Sequence, residues 1–313
     1  RHTEMMAVAQ RRARRHGWDL AVCVTDLPLR DGRQPIVADM SGERRVVVVS
    51  LPAFGVMSWR RRVRNVVAQL IADMYGIAAS PGDEHRGRRL PVLSRRFRRV
   101  EPEQEGVDVR MLASRGKTRL LMGMVRDNRP WRLVLGMTGP LVGAFAFSAF
   151  YLINTTVWEL AASMGPLRLL GTVLGSIGIM VVWLIVYHHL WEPTREARTH
   201  DQAVLFNAST VLTLLVGVGC MFVFLYAANL VIAGVVLTPG VLGQYVGTDP
   251  GITDYAAVTL LITAAGTVAG AIGSGFESED SVRSAAFSYR ERERRQAMHD
   301  ESESDDAREG GEL

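Results

Sequence analysis

The chain of 313 residues is 48% hydrophobic and 22% charged, carries a formal net charge of +4 and contains two cysteines. Cys23 lies in a predicted soluble strand and Cys220 in a predicted membrane helix, so we expect them to lie apart and to form no disulfide. Residues 1–16 are polar and arginine-rich, so we expect no signal peptide.

The charge is divided unevenly along the chain. Residues 1–132 hold 27 basic and 14 acidic side chains, a net of +13, whereas residues 133–276 sum to −3 and residues 277–313 to −6. A basic segment beside membrane spans suits the anionic lipid of a cytoplasmic leaflet. No nucleic-acid-binding module is recognisable, so we expect no nucleic-acid partner.

Residues 1–77 are predicted to form a small cytoplasmic α/β domain. We expect a helix over residues 3–16 and a second helix from Ser58, its predicted N-cap, to Tyr75. Strands are predicted at Leu20–Thr25, Ile36–Asp39 and Arg45–Leu51. The continuous β-branched run Val46–Val49 is typical of a central strand that is buried on both faces.

Residues 78–129 are predicted to connect this domain to a membrane. Their first part reads as a linker, followed by a strand at Val107–Ala113 and an amphipathic helix at Lys117–Asn128. Pro130 and Trp131 then lead into the first span, and tryptophan is a usual anchor at a membrane interface.

Residues 130–276 are predicted to form an α-helical bundle of four transmembrane helices. Four long runs carry no charge, namely Leu133–Trp158, Leu169–Tyr187, Gln202–Thr248 and Tyr255–Phe276. Each is close to or above the roughly 20 residues that cross a bilayer. Within the long third run we place a helix over Val204–Val235, and Leu237–Val246 is either an apolar loop or a re-entrant half-helix.

The arginines near the ends of the spans predict that both termini are cytoplasmic in a multi-pass protein of the cell membrane. They cluster before the first span, between the second and third, and after the fourth, at Arg126, Arg129, Arg132, Arg195, Arg198, Arg290, Arg292, Arg294 and Arg295. Residues 277–313 are predicted to be an acidic, mostly disordered tail, with a short helix at about Ser284–Met298.

Two sets of polar residues are candidates for a site in the membrane part. His188 and Glu192 lie one helical turn apart and could bind a metal, although such residues are also ordinary at the end of a membrane helix. Asn229, near the centre of the third span, could belong to a solute pathway, but asparagine more often joins helices.

Two further sets concern packing and surface contacts. The pairs Gly171/Gly175 and Gly266/Gly270 form small-xxx-small patterns, which bring helices together within a bundle or between copies of the chain. Arginine clusters are candidates for contact with lipid or a protein partner, and their members include Arg60, Arg61, Arg62, Arg95 and Arg96. We expect no catalytic residue, no cofactor and no enzymatic activity.

The motif "CVTDLPL" at Cys23–Leu29, followed by "RVVVVSLPAFG" at Arg45–Gly55 and a helix, resembles the front half of an archaemetzincin-like zincin. The resemblance implies zinc ligands on that helix. The matching positions are Ala68, Gln69 and Ala72, so it implies a relative without zinc or protease activity.

The whole chain resembles uncharacterised multi-pass membrane proteins of actinobacteria. The resemblance rests on "TDLPLRDGRQPIVAD" at Thr25–Asp39, "VRDNRPWRLVLG" at Val125–Gly136 and "WLIVYHHLWE" at Trp183–Glu192, and it implies no activity.

Two function hypotheses follow from the sequence. The first is a membrane-anchored adaptor or regulator whose basic cytoplasmic domain binds a protein partner, anionic lipid or its own acidic tail. The second is an oligomeric channel or transporter for a small solute or ion. The contrast of +13 against −6 in segments expected on one side of the membrane favours the first.

Overall fold

The structure is a computed structural model of the chain, and it divides into two compact units, Arg1–Asp127 and Asn128–Leu313. It describes residues 2–31, 34–75, 97–100, 107–113, 117–131, 138–191, 200–246 and 249–274. The acidic tail from residue 277, Arg95, Arg96 and Glu192 lie outside the described residues.

The first unit is a mixed sheet with helices on both faces. Its elements in chain order are α1 (His2–Arg15), β1 (Ala21–Thr25), β2 (Arg30–Asp31), β3 (Gln34–Ser41), β4 (Val46–Ser50), a 3₁₀ turn (Pro52–Phe54), α2 (Trp59–Met74), β5 (Phe97–Val100), β6 (Val109–Ala113) and α3 (Lys117–Asp127). The predicted helices and strands of this part are therefore present, with bounds that differ by a few residues.

The strand order is β1-β4-β3-β6-β5, with β2 paired to β3 outside this path. β1 runs parallel to β4, with Cys23 opposite Val48, and all other neighbours are antiparallel. β5 and β6 come from the segment 78–129 that we set apart as a connector. The sheet thus extends beyond the predicted boundary at residue 77, because β6 pairs directly with β3.

The two faces of the sheet bury different helices. Met6 and Ala13 of α1 pack in one cluster with Val46, Val48 and Leu112. On the opposite face, α2 packs against β4, where it buries Val66 and Leu70. All five residues of β4 are buried, as the run of valines predicted.

Ser58 precedes α2 but does not cap it as predicted. Its backbone is left-handed, with φ 54°, and its side chain makes no capping hydrogen bond. The left-handed backbone turns the hydroxyl away from the first free amides of the helix, because a capping residue normally has extended backbone angles.

The second unit is a helical bundle. Its helices are α4 (Thr138–Leu152), α5 (Thr155–Ser163), α6 (Pro166–Tyr187), α7 (His200–Val236), α8 (Pro239–Val246) and α9 (Ile252–Gly273). In the described part of the chain α6, α7 and α9 are long and apolar enough to cross a membrane. The region Leu237–Val246, which we left as a loop or half-helix, contains the short helix α8.

The predicted first span, Leu133–Trp158, is not one continuous helix. α4 and α5 meet at an angle of 89°, so the number of candidate spans is three, or four if this bent pair is one span. Asn154 explains the break, because its side-chain oxygen accepts a hydrogen bond from the amide of Thr156 and so begins a new helix.

In the described part of the bundle, the end of its last helix, α9, lies beside the start of its first helix, α4. A Cβ atom on Gly273, at the end of α9, would lie 3.0 Å from the carbonyl oxygen of Gly139, at the start of α4. At the opposite end Tyr255 donates a hydrogen bond to the carbonyl of Leu237, so α7 ends where α9 begins. The chain therefore enters and leaves the bundle at one end.

Candidate functional site: a groove at the open edge of the sheet

Strand β1 forms an edge of the sheet, and within the described residues no strand pairs with its outer side. The amide of Ala21 donates a hydrogen bond to the carbonyl oxygen of Arg45, which precedes β4. The carbonyl oxygen of Thr25 accepts one from the amide of Leu51, which follows β4. Because backbone groups alternate in direction along a strand, Val22 and Val24 direct their N–H and C=O groups to the open edge. These are the groups that an added strand would bind.

The side chains of Val22 and Val24 also form one wall of a groove. They are 37% and 45% exposed, although they belong to the sheet. The facing wall is helix α2, and the groove has a volume of about 460 Å³. Its lining consists of Val22, Val24, Trp59, Arg60, Val63, Arg64, Val67, Ala68 and Ile71.

Helix α2 carries two apolar stripes, of which one packs on the sheet and the other lines the groove. Val66 and Leu70 are buried, and they hold the helix on the sheet. Val63, Val67 and Ile71 recur every four residues and lie together along the groove. The second stripe therefore has no covering element in the described part of the domain, although it is as apolar as a core-facing one.

Arginines lie at the border of the apolar lining. Arg60 and Arg64 line the groove and are exposed to solvent, and the guanidinium of Arg60 lies 5.5 Å from the centre of the Trp59 ring. Arg61 is also exposed. A ligand in the groove would thus meet apolar side chains, backbone hydrogen-bonding groups and positive charge.

Arg62 has a different role from its neighbours. It donates a hydrogen bond to the carbonyl oxygen of Phe54 over 3.2 Å, and Arg119 of α3 donates to the same oxygen over 3.1 Å. Two guanidinium groups thereby bind the carbonyl end of the 3₁₀ turn, where backbone acceptors lack partners. Arg62, which we named as a lipid or partner contact, is engaged within the domain.

Helix α3 is fixed to the same turn. Arg126 donates to the carbonyl groups of Gly55 and Leu51, and it lies 4.5 Å from the ring centre of Trp59. Gly123 faces Pro52 so closely that a Cβ atom would overlap the Pro52 carbonyl. The connector helix, the turn and the groove helix therefore form one packed assembly.

A buried ion pair stabilises the centre of the sheet. Arg110 of β6 lies opposite Asp39 of β3, donates to both of its carboxylate oxygens and binds Asp31 over 2.7 Å. Burial lowers the pKa of Arg110, but the hydrogen bonds to Asp39 and Asp31 and their charges outweigh it, so the pKa is raised. Since every acceptor is part of the sheet, we assign this cluster to strand register.

Asn229 joins three helices of the bundle. It is 4% exposed, and its amide donates to Ser148 of α4 and to Thr263 of α9, each over 3.1 Å. Thr263 in turn donates to the carbonyl of Thr259. Both amide hydrogens are thus used between helices, which is the packing alternative that we weighed against a solute pathway.

The two glycine pairs occupy different surroundings. A Cβ atom on Gly266 would lie 2.6 Å from Ser148 Oγ, and one on Gly270 would lie 2.6 Å from the carbonyl oxygen of Pro140. These glycines therefore allow α9 to approach α4 closely. A Cβ atom added to Gly171 or Gly175 of α6 would instead lie in open space, with nothing within 4 Å. Within the described bundle, Gly266 and Gly270 therefore lie at a close contact between helices, whereas Gly171 and Gly175 do not.

His188 is fully buried at the end of α6, where its ring makes an edge contact with Tyr187 at 5.0 Å. Among the described residues no group of three or more His, Cys, Asp and Glu side chains could hold a metal ion. Its predicted partner Glu192 lies outside the described residues.

Sequence reasoning identified the arginines of α2 but not the groove. The missed residues are Val22, Val24, Val63, Val67 and Ile71, because apolar residues at strand and helix spacing also predict a core. A signal was available in α2, whose apolar positions cover two adjacent stripes and therefore more of the helix than a single sheet face buries.

Comparison of the chain with models of protein families, with curated proteins and with solved structures finds no match.

Proposed function

We propose that this chain is a membrane-anchored adaptor whose α/β domain binds an extended protein segment by adding it as a strand beside β1. The single observation that carries the proposal is the groove between the open edge of β1 and the apolar stripe of α2. In this binding mode backbone hydrogen bonds supply affinity, and alternate side chains of the segment enter pockets that supply specificity.

The chemistry of the groove defines the segment. Val22 and Val24 offer backbone groups to a strand of about five residues, the length of β1. Alternate residues of that strand would face the stripe of Val63, Val67 and Ile71, so they should be apolar. Arg60 and Arg64 favour acidic residues beside them.

The helical bundle supports the membrane-anchor part of the proposal. Helices α6, α7 and α9 are long and apolar enough to cross a membrane, and α4 with α5 supplies a fourth candidate span. Four crossings agree with a bundle whose first and last helices meet at Gly139 and Gly273. Together with the arginine distribution this favours a cytoplasmic location for both flanking segments, in the cell membrane.

A test uses the full-length protein in lipid nanodiscs and a displayed library of ten-residue peptides. Selected peptides should alternate apolar residues and carry acids at one flank. Their affinity should fall at least 10-fold in Val67→Arg, which places a charge in the groove. The matched control is Gln69→Arg on the exposed side of α2, which should bind as the unchanged protein does.

Equal loss of binding in Val67→Arg and Gln69→Arg would contradict the proposal, because charge on the helix surface would then explain the effect. Selection of peptides that bind all variants equally would contradict it as well.

A further inference from the structure

We propose that a second copy of this chain occupies the groove, with its own β1 as the added strand, so that two α/β units form a symmetric dimer. The inference rests on the proposed function and names the occupant of the same groove. Three features of the described residues support it, namely the sequence of β1, the direction of its open backbone groups and the charges beside the groove.

Strand β1 has the chemistry that the groove requires of a bound segment. It is five residues long, and its alternate residues Val22 and Val24 are apolar and exposed. Asp19 lies two residues before β1 and supplies an acidic flank, with a side chain that is 87% exposed. The chain therefore carries a strand that matches its own groove in length, in apolar pattern and in charge.

The backbone of β1 is complementary to itself in the antiparallel direction. Val22 and Val24 direct their N–H and C=O groups outward, whereas those of Cys23 point towards β4. When Cys23 of one copy lies opposite Cys23 of the other, all five residues of the two strands overlap. Val22 of each copy then forms a hydrogen-bonded pair with Val24 of the other, and the two pairs exchange four hydrogen bonds. Each outward group of these valines is thereby paired.

The apolar side chains are covered by the same pairing. Residues that lie opposite each other in a sheet place their side chains on one face, so the four valines of two copies form one apolar surface. This surface faces the stripe of Val63, Val67 and Ile71 in each copy, which no described element of the same chain covers. Because both copies use the same surface, a twofold axis closes the assembly at two chains.

The charges favour the antiparallel direction. Helix α2 follows the end of β4, which runs parallel to β1, so Arg60 in its first turn lies towards the Thr25 end of the groove. Asp19 lies at the opposite end of its own copy, 4.0 Å from Arg45, which precedes β4. An antiparallel partner strand brings its Asp19 to the Thr25 end and therefore towards Arg60. Such complementarity sets direction and specificity more than affinity.

Self-pairing sets a threshold for the adaptor. A segment of another protein competes for the groove with β1 of the second copy, so mass action links its binding to dissociation of the dimer. Library peptides should therefore bind at least 10-fold more tightly to nanodiscs that hold one copy of the chain than to nanodiscs that hold two. Equal affinity for the two preparations would contradict occupation of the groove by the second copy.

Disulfide trapping tests the pairing without any change in the groove. In the full chain with Cys220→Ser, Cys23 is the remaining cysteine. Two opposed Cys23 residues form a non-hydrogen-bonded pair with Cα atoms about 4.5 Å apart, which a disulfide can span. Copper-catalysed oxidation by oxygen, in nanodiscs that hold two copies, should therefore convert most of the protein to a covalent dimer.

The control moves the thiol by one residue, to Val24→Cys in a chain with Cys23→Ala and Cys220→Ser. Val24 is more exposed than half-buried Cys23, so random collisions would favour the control. In the proposed register the two Val24 residues are diagonal neighbours about 7–8 Å apart, too far for a disulfide without backbone movement. The control should trap at least 10-fold more slowly than Cys23. Equal or faster trapping would overturn the inference.

A backbone variant distinguishes this dimer from one that is formed by the membrane helices. Val22→Pro removes an amide that points to the open edge, so two of the four hydrogen bonds between copies are lost while β1 still pairs with β4. Trapping through Cys23 should slow at least 10-fold. Val22→Thr keeps both the amide and the branched shape, and it should trap as fast as the chain with Cys220→Ser alone. Equal trapping of the two variants would contradict strand pairing.

The two proposals fail separately. If library peptides require Val67 but Cys23 traps no faster than Val24→Cys, the groove is an adaptor site and the second copy is not its occupant. If Cys23 is trapped as expected but the peptides ignore Val67→Arg, the groove joins two copies and the adaptor function is wrong.

Discussion

The guanidinium of Arg126 lies 4.5 Å from the centre of the Trp59 ring. Trp59 lines the groove, whereas Arg126 is in the last turn of α3, after which the chain continues into the bundle. A ligand that displaces the indole must therefore also disturb the last turn of α3. The groove and the connector helix are coupled by direct contact.

This contact predicts the effect of Arg126→Met. The variant loses the hydrogen bonds to Gly55 and Leu51, and we expect the α/β unit to lose about 1.5–3 kcal/mol of unfolding free energy. Library peptides should also bind more weakly because Trp59 loses its support. Urea-dependent labelling of Cys23, in a Cys220→Ser chain, measures the stability, and Arg61→Met is the control with little change.

Gly123→Ala should weaken the attachment of α3. The added methyl group overlaps the carbonyl of Pro52, which belongs to the backbone and cannot move as a side chain can. Overpacking of this kind costs about 1–3 kcal/mol. The measurement is the urea concentration at which Cys23 is half labelled. Met122→Ala, at an exposed position of the same helix, should leave this midpoint unchanged. Equal effects of the two substitutions would contradict the close packing of Gly123 on Pro52.

Asp39→Ala should destabilise the sheet more than most substitutions. It leaves the buried Arg110 without its main acceptor, and breaking one partner of a buried pair costs about 3–5 kcal/mol. Replacement of both residues, Asp39→Leu with Arg110→Met, should cost less than Asp39→Ala alone. A double variant that is as unstable as the sum of the single ones would show that the pair is not coupled.

The contribution of Arg110 to stability should not depend on pH in the neutral range. Its pKa is raised in the folded state, so the stabilisation is fully present below the pKa of the unfolded chain. It is lost only as the pH rises through the folded pKa, far above neutrality. The difference in urea midpoint between the unchanged chain and Arg110→Met should therefore be constant between pH 7 and 9.

Gly270→Val should separate α4 from α9. The first atom of the new side chain would lie 2.6 Å from the carbonyl of Pro140, so the helices must move apart or the bundle must lose stability. Gly171→Val adds the same atoms where nothing lies within 4 Å, and thermal unfolding in detergent should leave its midpoint unchanged. If Gly171→Val instead alters the oligomer size, that face of α6 contacts another copy.

Asn229→Leu should lower the stability of the bundle by about 0.6–2 kcal/mol, the range for such bonds in membrane helices, since it removes two hydrogen bonds between helices. The measurement is the thermal midpoint in detergent, with Val231→Leu on the exposed side of α7 as the control. A midpoint equal to that of the control would mean that the amide contributes nothing to packing.

Elements of this fold that depend on residues near each other in the sequence were predictable, whereas pairings between distant segments were not. Helix α2 and strand β4 follow from local spacing, because Val66 and Leu70 or a run of valines reveal their buried faces directly. The parallel pairing of β1 with β4 depends on a connection through β2 and β3, which no local pattern indicates. The open edge could therefore not be predicted, although the second apolar stripe of α2 was a local signal of the groove beside it.

The break in the first apolar run had a local signal that hydropathy hides. Asn154 is followed by Thr155 and Thr156, and asparagine is a favoured N-cap, but the flanking residues are apolar on both sides. A count of apolar residues therefore combined α4 and α5 into one span. The polar contacts of Asn229 were predictable in kind, since asparagine commonly joins membrane helices, but not its partners Ser148 and Thr263.

The close approach of α4 and α9 has a consequence for biosynthesis. The glycines against which α4 packs, Gly266 and Gly270, are translated more than 100 residues after α4 itself. Until the ribosome has delivered α9, the part of α4 that packs on Gly266 and Gly270 is uncovered, although Asn229 of α7 can already bind Ser148. The bundle is thus completed only by its last helix, and a chain that stops before Ile252 would be expected to be recognised by quality-control proteases rather than to accumulate.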